Sequence, residues 1–333
     1  MPQTSALVIS SGSPCLSAGV SSVHLAQQAV TNEKSFMQDA HKGLAALHLG
    51  SLLLGGTALF SKLFETSVID VTLWRSFIAA AALYVFLILR RRPILLSRYR
   101  DYGIVLLLGA ILAVHWVTYF HSMKVSTVAI GIIAFFSHPV ISVLLEPLFA
   151  RQKPRLMDLL GALWVLGGVA IMLPSFDLDS GHTQGVLWGL FSALLFSLRN
   201  IVFTRHFAQY DSSLAMMYQC LIVGVLLLPF SGGFIASASV EGWALMAVLG
   251  VVFTATPHTL FSASMKLLSV KTASLIMCLV PLYATLLASL LLDEMPDLYT
   301  LIGGAMILSA AIFESFQANK RARVVETPVS TSR

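Results

Sequence analysis

Residues 119–154 read YFHSMKVSTVAIGIIAFFSHPVISVLLEPLFARQKP, and residues 260–296 read LFSASMKLLSVKTASLIMCLVPLYATLLASLLLDEMP. A shift of 142 positions superimposes Ser122, Met123 and Lys124 on Ser264, Met265 and Lys266 without a gap. It also sets Pro139 on Pro281, Leu144 and Leu145 on Leu286 and Leu287, Pro154 on Pro296 and Gly161 on Gly303. Upstream, a shift of 143 places Phe60, Ser61, Lys62 and Phe64 beside Phe203, Thr204, Arg205 and Phe207. Self-similarity at a fixed offset marks an internal duplication, and it governs how every other residue is read.

Working outward, ten apolar stretches fill residues 43 to 317: 43–64, 69–89, 102–121, 127–149, 156–174, 184–205, 213–231, 242–263, 270–292 and 298–317. Hydrophobic residues make up 57% of the 333 and charged residues 11%, a balance that a water-soluble surface does not tolerate. A hydrocarbon core about 30 Å thick takes roughly 20 mainly apolar residues per helix. Backbone groups in lipid must be satisfied within the segment, so the spans are helices. The expected fold is an all-α integral membrane protein of ten transmembrane helices, with a first repeat at 43–174 and a second at 184–317. Five helices per repeat is an odd number, which makes the two halves insert in opposite directions.

The basic residues orient the chain. With a cytoplasmic N-terminus, the inner loops carry Arg90, Arg91, Arg92, Arg98, Arg100, Arg151, Lys153, Arg155, Arg205, Lys266 and Lys271, and the tail carries Lys320, Arg321 and Arg323. The outer side has mainly Lys62 and Lys124, among Glu65, Asp70, Asp177, Asp179, Asp293, Glu294 and Asp297. By the positive-inside rule both termini are cytoplasmic, in a multi-pass protein of a cell inner membrane. Residues 1–42 lack a basic n-region followed by an apolar run and do not read as a signal peptide. They are either a disordered cytoplasmic extension or lie upstream of a true start at Met37. The C-terminal tail is 318–333. Cys15 falls in the extension, and Cys220 and Cys278 fall within spans, where a structural disulfide is not expected.

The two quoted runs resemble the paired EamA repeats of the drug/metabolite transporter superfamily. Each holds the end of one helix, a short turn, a helix with a central Pro, a terminal polar residue and the start of the next helix. Arg75, in VTLWRSFIAA, also matches that family's habit. The resemblance covers residues 43–317. It implies a central substrate cavity lined largely by helices 1, 3, 4, 6, 8 and 9, and frequent roles in metabolite export. One departure stands out: the acidic residue common at the end of the fourth helix is present in the second repeat as Glu294, whereas its first-repeat counterpart is Gln152.

Ionisable groups inside spans are costly and mark the bundle interior or water. Arg75 either holds a substrate carboxylate or ties neighbouring helices through backbone carbonyls. Glu146 lies seven residues beyond Pro139 on the same helical face. It is the candidate for proton coupling if desolvated, and a carboxylate reaching water or an inner-loop Arg if not. Arg199 belongs to the same set. His115 and Tyr119 share a face of the third helix with Trp116 beside them, and Thr254, His258 and Ser262 form a similar stripe on the eighth. These stripes either orient a small ligand among apolar walls or form interhelical hydrogen bonds. Asn200, Tyr218, Gln219 and Tyr283 are weaker cavity candidates. Pro139 and Pro281 occupy matching helix-interior positions and are expected to kink both helices, as gates or as packing irregularities. The glycines of GALWVLGG and the small residues of GGAMILSAA are expected at close helix contacts.

No H-E-x-x-H, Cys cluster or Gly-rich phosphate loop occurs, so no metal, cofactor or catalytic residue is assigned, and an enzyme is not expected. A structural or sensory membrane protein would be expected to carry an appended soluble domain. The leading expectation is a secondary-active carrier exporting a small polar metabolite, such as an amino acid, by alternating access. The alternative is uptake or exchange of a nucleotide-linked or phosphorylated metabolite. The partners considered are that substrate, the bilayer, a proton or counter-substrate and a second copy of the chain, with no nucleic acid.

Overall fold

The computed structural model describes residues 41–173, 177–264, 267–268 and 270–326. Almost all of the N-terminal extension, with Cys15 and Met37, lies outside the described residues, as do Met265, Lys266, Ser175 and residues 327–333; the side chains of Ser262, Lys271, Lys320, Arg321 and Arg323 are likewise not described.

The described chain is all-helical. Among the described residues, eight helices are long and apolar enough to cross a membrane: α1 (His41–Leu63), α2 (Val68–Leu89), α3 (Tyr99–Val125), α4 (Val128–Phe149), α6 (Gly181–His206), α7 (Ser212–Phe230), α8 (Val240–Phe261) and α10 (Leu298–Gln317). Two shorter apolar helices are α5 (Leu156–Met172) and α9 (Leu275–Leu291). Helix α10 does not stop at the end of its span but continues to Glu326, so the tail begins as helix. Leu106, Leu107, Leu163, Leu166, Leu286 and Leu290 are exposed on the outside of the bundle, as lipid-facing positions require.

The duplication is visible in the backbone. Helix α4 is broken between Phe135 and His138, and α9 between Met277 and Val280, with Pro139 and Pro281 each in the first turn after the break. The residues entering the second halves, Ser137 and Leu279, are 142 apart and have nearly the same conformation (φ −69°, ψ −13° and φ −80°, ψ −13°). Both helices end through a non-glycine residue in the left-handed region, Arg151 and Asp293, again 142 apart and both at φ 54°. Helix α2 packs on α7, α5 on α10, and the first half of α4 on the second half of α9, each helix meeting its counterpart in the other half.

Small residues set the closest approaches. Gly168 of α5 lies against Gly303 of α10, where a β-carbon on Gly168 would come within 2.8 Å of the Gly303 carbonyl. A second seam runs along α6 at Gly181, Gly185 and Gly189, where added β-carbons would strike the Val125 carbonyl, the Ser126 hydroxyl and Ala134. The Ser122 hydroxyl donates to the Gly185 carbonyl at 2.6 Å along this seam. Close backbone approach with a side-chain hydrogen bond is how helices associate where lipid supplies no hydrophobic drive. Gly185→Leu is therefore expected to destabilise the detergent-solubilised protein by about 1–3 kcal/mol through overpacking. A thermal melt that matches the unmodified protein would contradict this account of the seam.

Candidate functional site

Three helices meet at the break in α4. His115 of α3 is buried, and its Nδ1 lies 2.7 Å from the Ser192 hydroxyl and 3.1 Å from the Ser192 carbonyl on α6. A carbonyl only accepts, so Nδ1 carries the proton, and Nε2 is left as an acceptor in the neutral ring. The Ser192 hydroxyl in turn donates to the His115 carbonyl at 3.2 Å. The imidazole stacks on Phe135 at 5.3 Å and packs against Phe196 at 5.2 Å and Tyr119 at 6.0 Å. His138, the residue before Pro139, packs on Phe135 at 5.0 Å and Phe196 at 4.8 Å. The Ser197 hydroxyl of α6 reaches the His138 carbonyl at 2.9 Å, to which the Ser142 hydroxyl also donates at 2.8 Å, so α6 is tied to the first turn after the break. The result is an aromatic and imidazole cluster tied to a discontinuity in the backbone.

Arg75 of α2 adjoins this cluster and is only 2% exposed. Its guanidinium carbon lies 4.2 Å from the Trp116 ring centre and 4.3 Å from that of Phe120, both on α3. Among the described residues its Nε and Nη2 have no hydrogen-bond partner, so they do not tie the described helices through backbone carbonyls. Leaving a buried donor unmade costs about 1–3 kcal/mol, and more for a charged group. A desolvated cation on aromatic faces recovers about 2 kcal/mol. Arg199 of α6 is better served: Nε donates to Gln219 of α7 at 2.9 Å, and Nη1 to Asn200 at 3.0 Å. The charges of Arg75 and Arg199 both act on His115 and on His258. Among the described residues, no carboxylate figures among the charges acting on Arg75, His115, Arg199 or His258. The centre is electropositive.

The remaining sequence candidates are placed as follows. Thr254 uses its hydroxyl within its own helix, donating to the Leu249 carbonyl at 2.8 Å. That five-residue reach belongs to a π-helical turn at Val251–Ala255, just before Pro257, which alters the simple four-residue register expected for Thr254 and His258. Pro257 lacks the N–H that would bond the Phe253 carbonyl four residues earlier, and that carbonyl accepts from Thr57 of α1 at 2.7 Å. Tyr283 pairs with His48 of α1, its hydroxyl 3.0 Å from Nδ1. Glu146 is exposed near the end of α4, where its backbone carbonyl and that of Phe149 face the Arg205 guanidinium. Asn200 holds Arg199. His138, Phe135, Phe196 and Ser192 escaped the sequence reading; an ionisable residue next to a helix-breaking Pro inside a span was the signal available for the first of them.

The two ends of the bundle differ. Where α1 and α3 finish and α4 starts, Lys62 lies 3.3 Å from Glu294 and donates to the Ser126 carbonyl at 2.5 Å. Glu294 accepts from the Val128 N–H at 2.8 Å, which caps α4, and Lys124 donates to the Thr66 carbonyl at 2.5 Å. At the opposite end, Gln152 occupies the position equivalent to Glu294 and is exposed. A cavity of about 500 Å³ opens there, with Arg98, Arg100, Arg205 and His206 on its wall and Asp101 engaged by the Tyr210 hydroxyl.

The profile of the EamA-like transporter family matches residues 41–173 and again 183–316. An uncharacterized transporter of Archaeoglobus fulgidus is 27% identical over 274 residues, covering 81% of this chain and 95% of its own length. The uncharacterized transporter YxxF of Bacillus subtilis is 26% identical over 231 residues, 68% of this chain and 73% of that one. The pseudopaline exporter CntI of Pseudomonas aeruginosa is 25% identical over 250 residues, 73% of this chain and 84% of its own. A crystal structure at 20% identity and a TM-score of 0.55 covers 87% of this chain and 99% of that one, which speaks to the fold alone.

Proposed function

The chain belongs to the EamA-like transporter family, and we propose that it is a secondary-active exporter of a small polar metabolite, such as an amino acid, working by alternating access. It is a multi-pass membrane transporter of a family whose bacterial relatives include a named exporter. The observation that carries the finer reading is the grouping of buried His115 and Arg75 with half-buried Arg199 near the break in α4, because it places polar groups among apolar walls at a point where the backbone can bend. In this reading all ten apolar helices span the membrane, α5 and α9 included. The two repeats then run in opposite directions, and both termini face the cytoplasm. The matched breaks in α4 and α9 and the odd helix number per repeat support the inversion, and the basic cavity wall at Arg98, Arg100 and Arg205 supports the orientation. An anionic substrate, as in the phosphorylated-metabolite alternative, is favoured by one observation: the electropositive centre.

The test is a thermal-shift screen of purified protein against amino acids, polyamines, nucleosides, sugar phosphates and vitamins, followed by transport in proteoliposomes. A ligand at 100 times its Kd stabilises the fold by about 2.7 kcal/mol. Selective stabilisation with saturable, gradient-driven movement of the same compound is expected. A folded protein that moves no compound of the panel in either direction contradicts transport of these classes.

A further inference from the structure

We propose that Arg75 is the carboxylate anchor of the transported substrate, which makes the cargo a carboxylic acid rather than a neutral or cationic metabolite. This rests on the export reading above and narrows it. The two donors of Arg75 without a partner are Nε and Nη2. They lie on one edge of the guanidinium, side by side, and present two parallel N–H groups at the spacing of the two oxygens of a carboxylate. The rings of Trp116 and Phe120 engage the same guanidinium carbon, 4.2 Å and 4.3 Å from the ring centres, and help hold the group in place. A flat two-oxygen acceptor matches two donors; a phosphate can also meet such an edge with two of its oxygens, and the glycerol 3-phosphate arm of the test separates the two.

Two further observations point the same way. Arg199 has donors already committed to Gln219 and Asn200, so of the two central arginines it is Arg75 that has an edge to offer. The nearby charges acting on His115 and His258 come from cations, so an arriving acid meets attraction without a resident carboxylate to displace. Arg75 is buried in this conformation, and access comes with the tilting of the broken helices that alternating access already requires.

The experiment uses proteoliposomes containing the full chain, loaded with three matched pairs: leucine with leucinamide, glutamate with its diamide, and succinate with succinamide, together with glycerol 3-phosphate. At least one acid should leave about tenfold or more faster than its amide, the effect of losing a charge-assisted pair. Arg75→Gln should erase that preference, and Arg75→Lys should restore part of it. The acid-to-amide ratio in the unmodified protein needs no variant, so the proposal stays testable if Arg75→Gln fails to fold. Amides leaving as fast as acids, glycerol 3-phosphate leaving in preference to every acid, or a folded Arg75→Gln keeping the preference would each overturn the anchor while the export reading stands. Movement of no compound at all would remove the export reading and the anchor with it.

Discussion

Glu294→Gln is expected to reduce transport about tenfold or more and to open the end of the bundle where α4 begins. Glu294 joins three segments of chain: it pairs with Lys62 at the end of α1, caps the Val128 N–H of α4 and is itself carried by the α9–α10 connection. Hydrogen bonds to charged groups contribute about 1.5–3 kcal/mol, which is about 10- to 100-fold in the balance between a closed and an open end. The amide of Gln keeps an acceptor for Val128 but loses the attraction for Lys62, whose remaining bonds to the Ser126 and Lys124 carbonyls do not involve α9 or α10. Hydrogen exchange at the first turn of α4 reads the opening directly. Faster exchange around Val128 in the variant, with transport reduced, is the expected pair of results. Unchanged exchange and unchanged transport would show that the contact does not act as a latch.

Replacing both Pro139 and Pro281 with Ala should lower transport by about tenfold or more without loss of folded protein. Both prolines sit in the first turn after a break, where proline is tolerated; alanine supplies the N–H, and frees the preceding residue to be helical, as a helix running through each break needs. A continuous α4 would carry His138 and Phe135 away from Phe196 and draw the His138 carbonyl away from the Ser197 hydroxyl. The defect should be in the rate of the cycle, with the thermal midpoint held or raised. A double variant that transports as the unmodified protein does would remove the breaks from the mechanism and leave them as packing features.

Much of this architecture was legible because duplication is a long-range signal that does not depend on local propensity. The offset of 142 set Pro139 on Pro281 before any coordinates, and the paired breaks fall there. The same offset relates Arg151 to Asp293, whose shared left-handed conformation had no signature in residue type at Arg151 and only a weak one at Asp293. The π turn at Val251–Ala255 was not legible, as nothing in VVFTA distinguishes it from α-helix; Pro257 was the local hint. Facing directions were the hardest part. In lipid the outer surface is as apolar as the core, so the amphipathic stripe that orients a soluble helix is missing. The seam of Gly181, Gly185 and Gly189 could have been found by its four-residue spacing, which is independent of polarity. The aromatic neighbours of His115 come from three helices, and no single segment announces them.

The central claim is that two like-folded halves sit in the membrane in opposite directions, and one labelling measurement addresses it. Arg151→Cys and Asp293→Cys are made separately in a chain whose Cys15, Cys220 and Cys278 have been replaced, and intact cells are treated with a membrane-impermeant maleimide. The account predicts that Asp293→Cys labels from outside and Arg151→Cys only after permeabilisation, equivalent positions of the two repeats on opposite faces. Labelling of both from the same side would contradict the inverted arrangement and the alternating-access mechanism built on it.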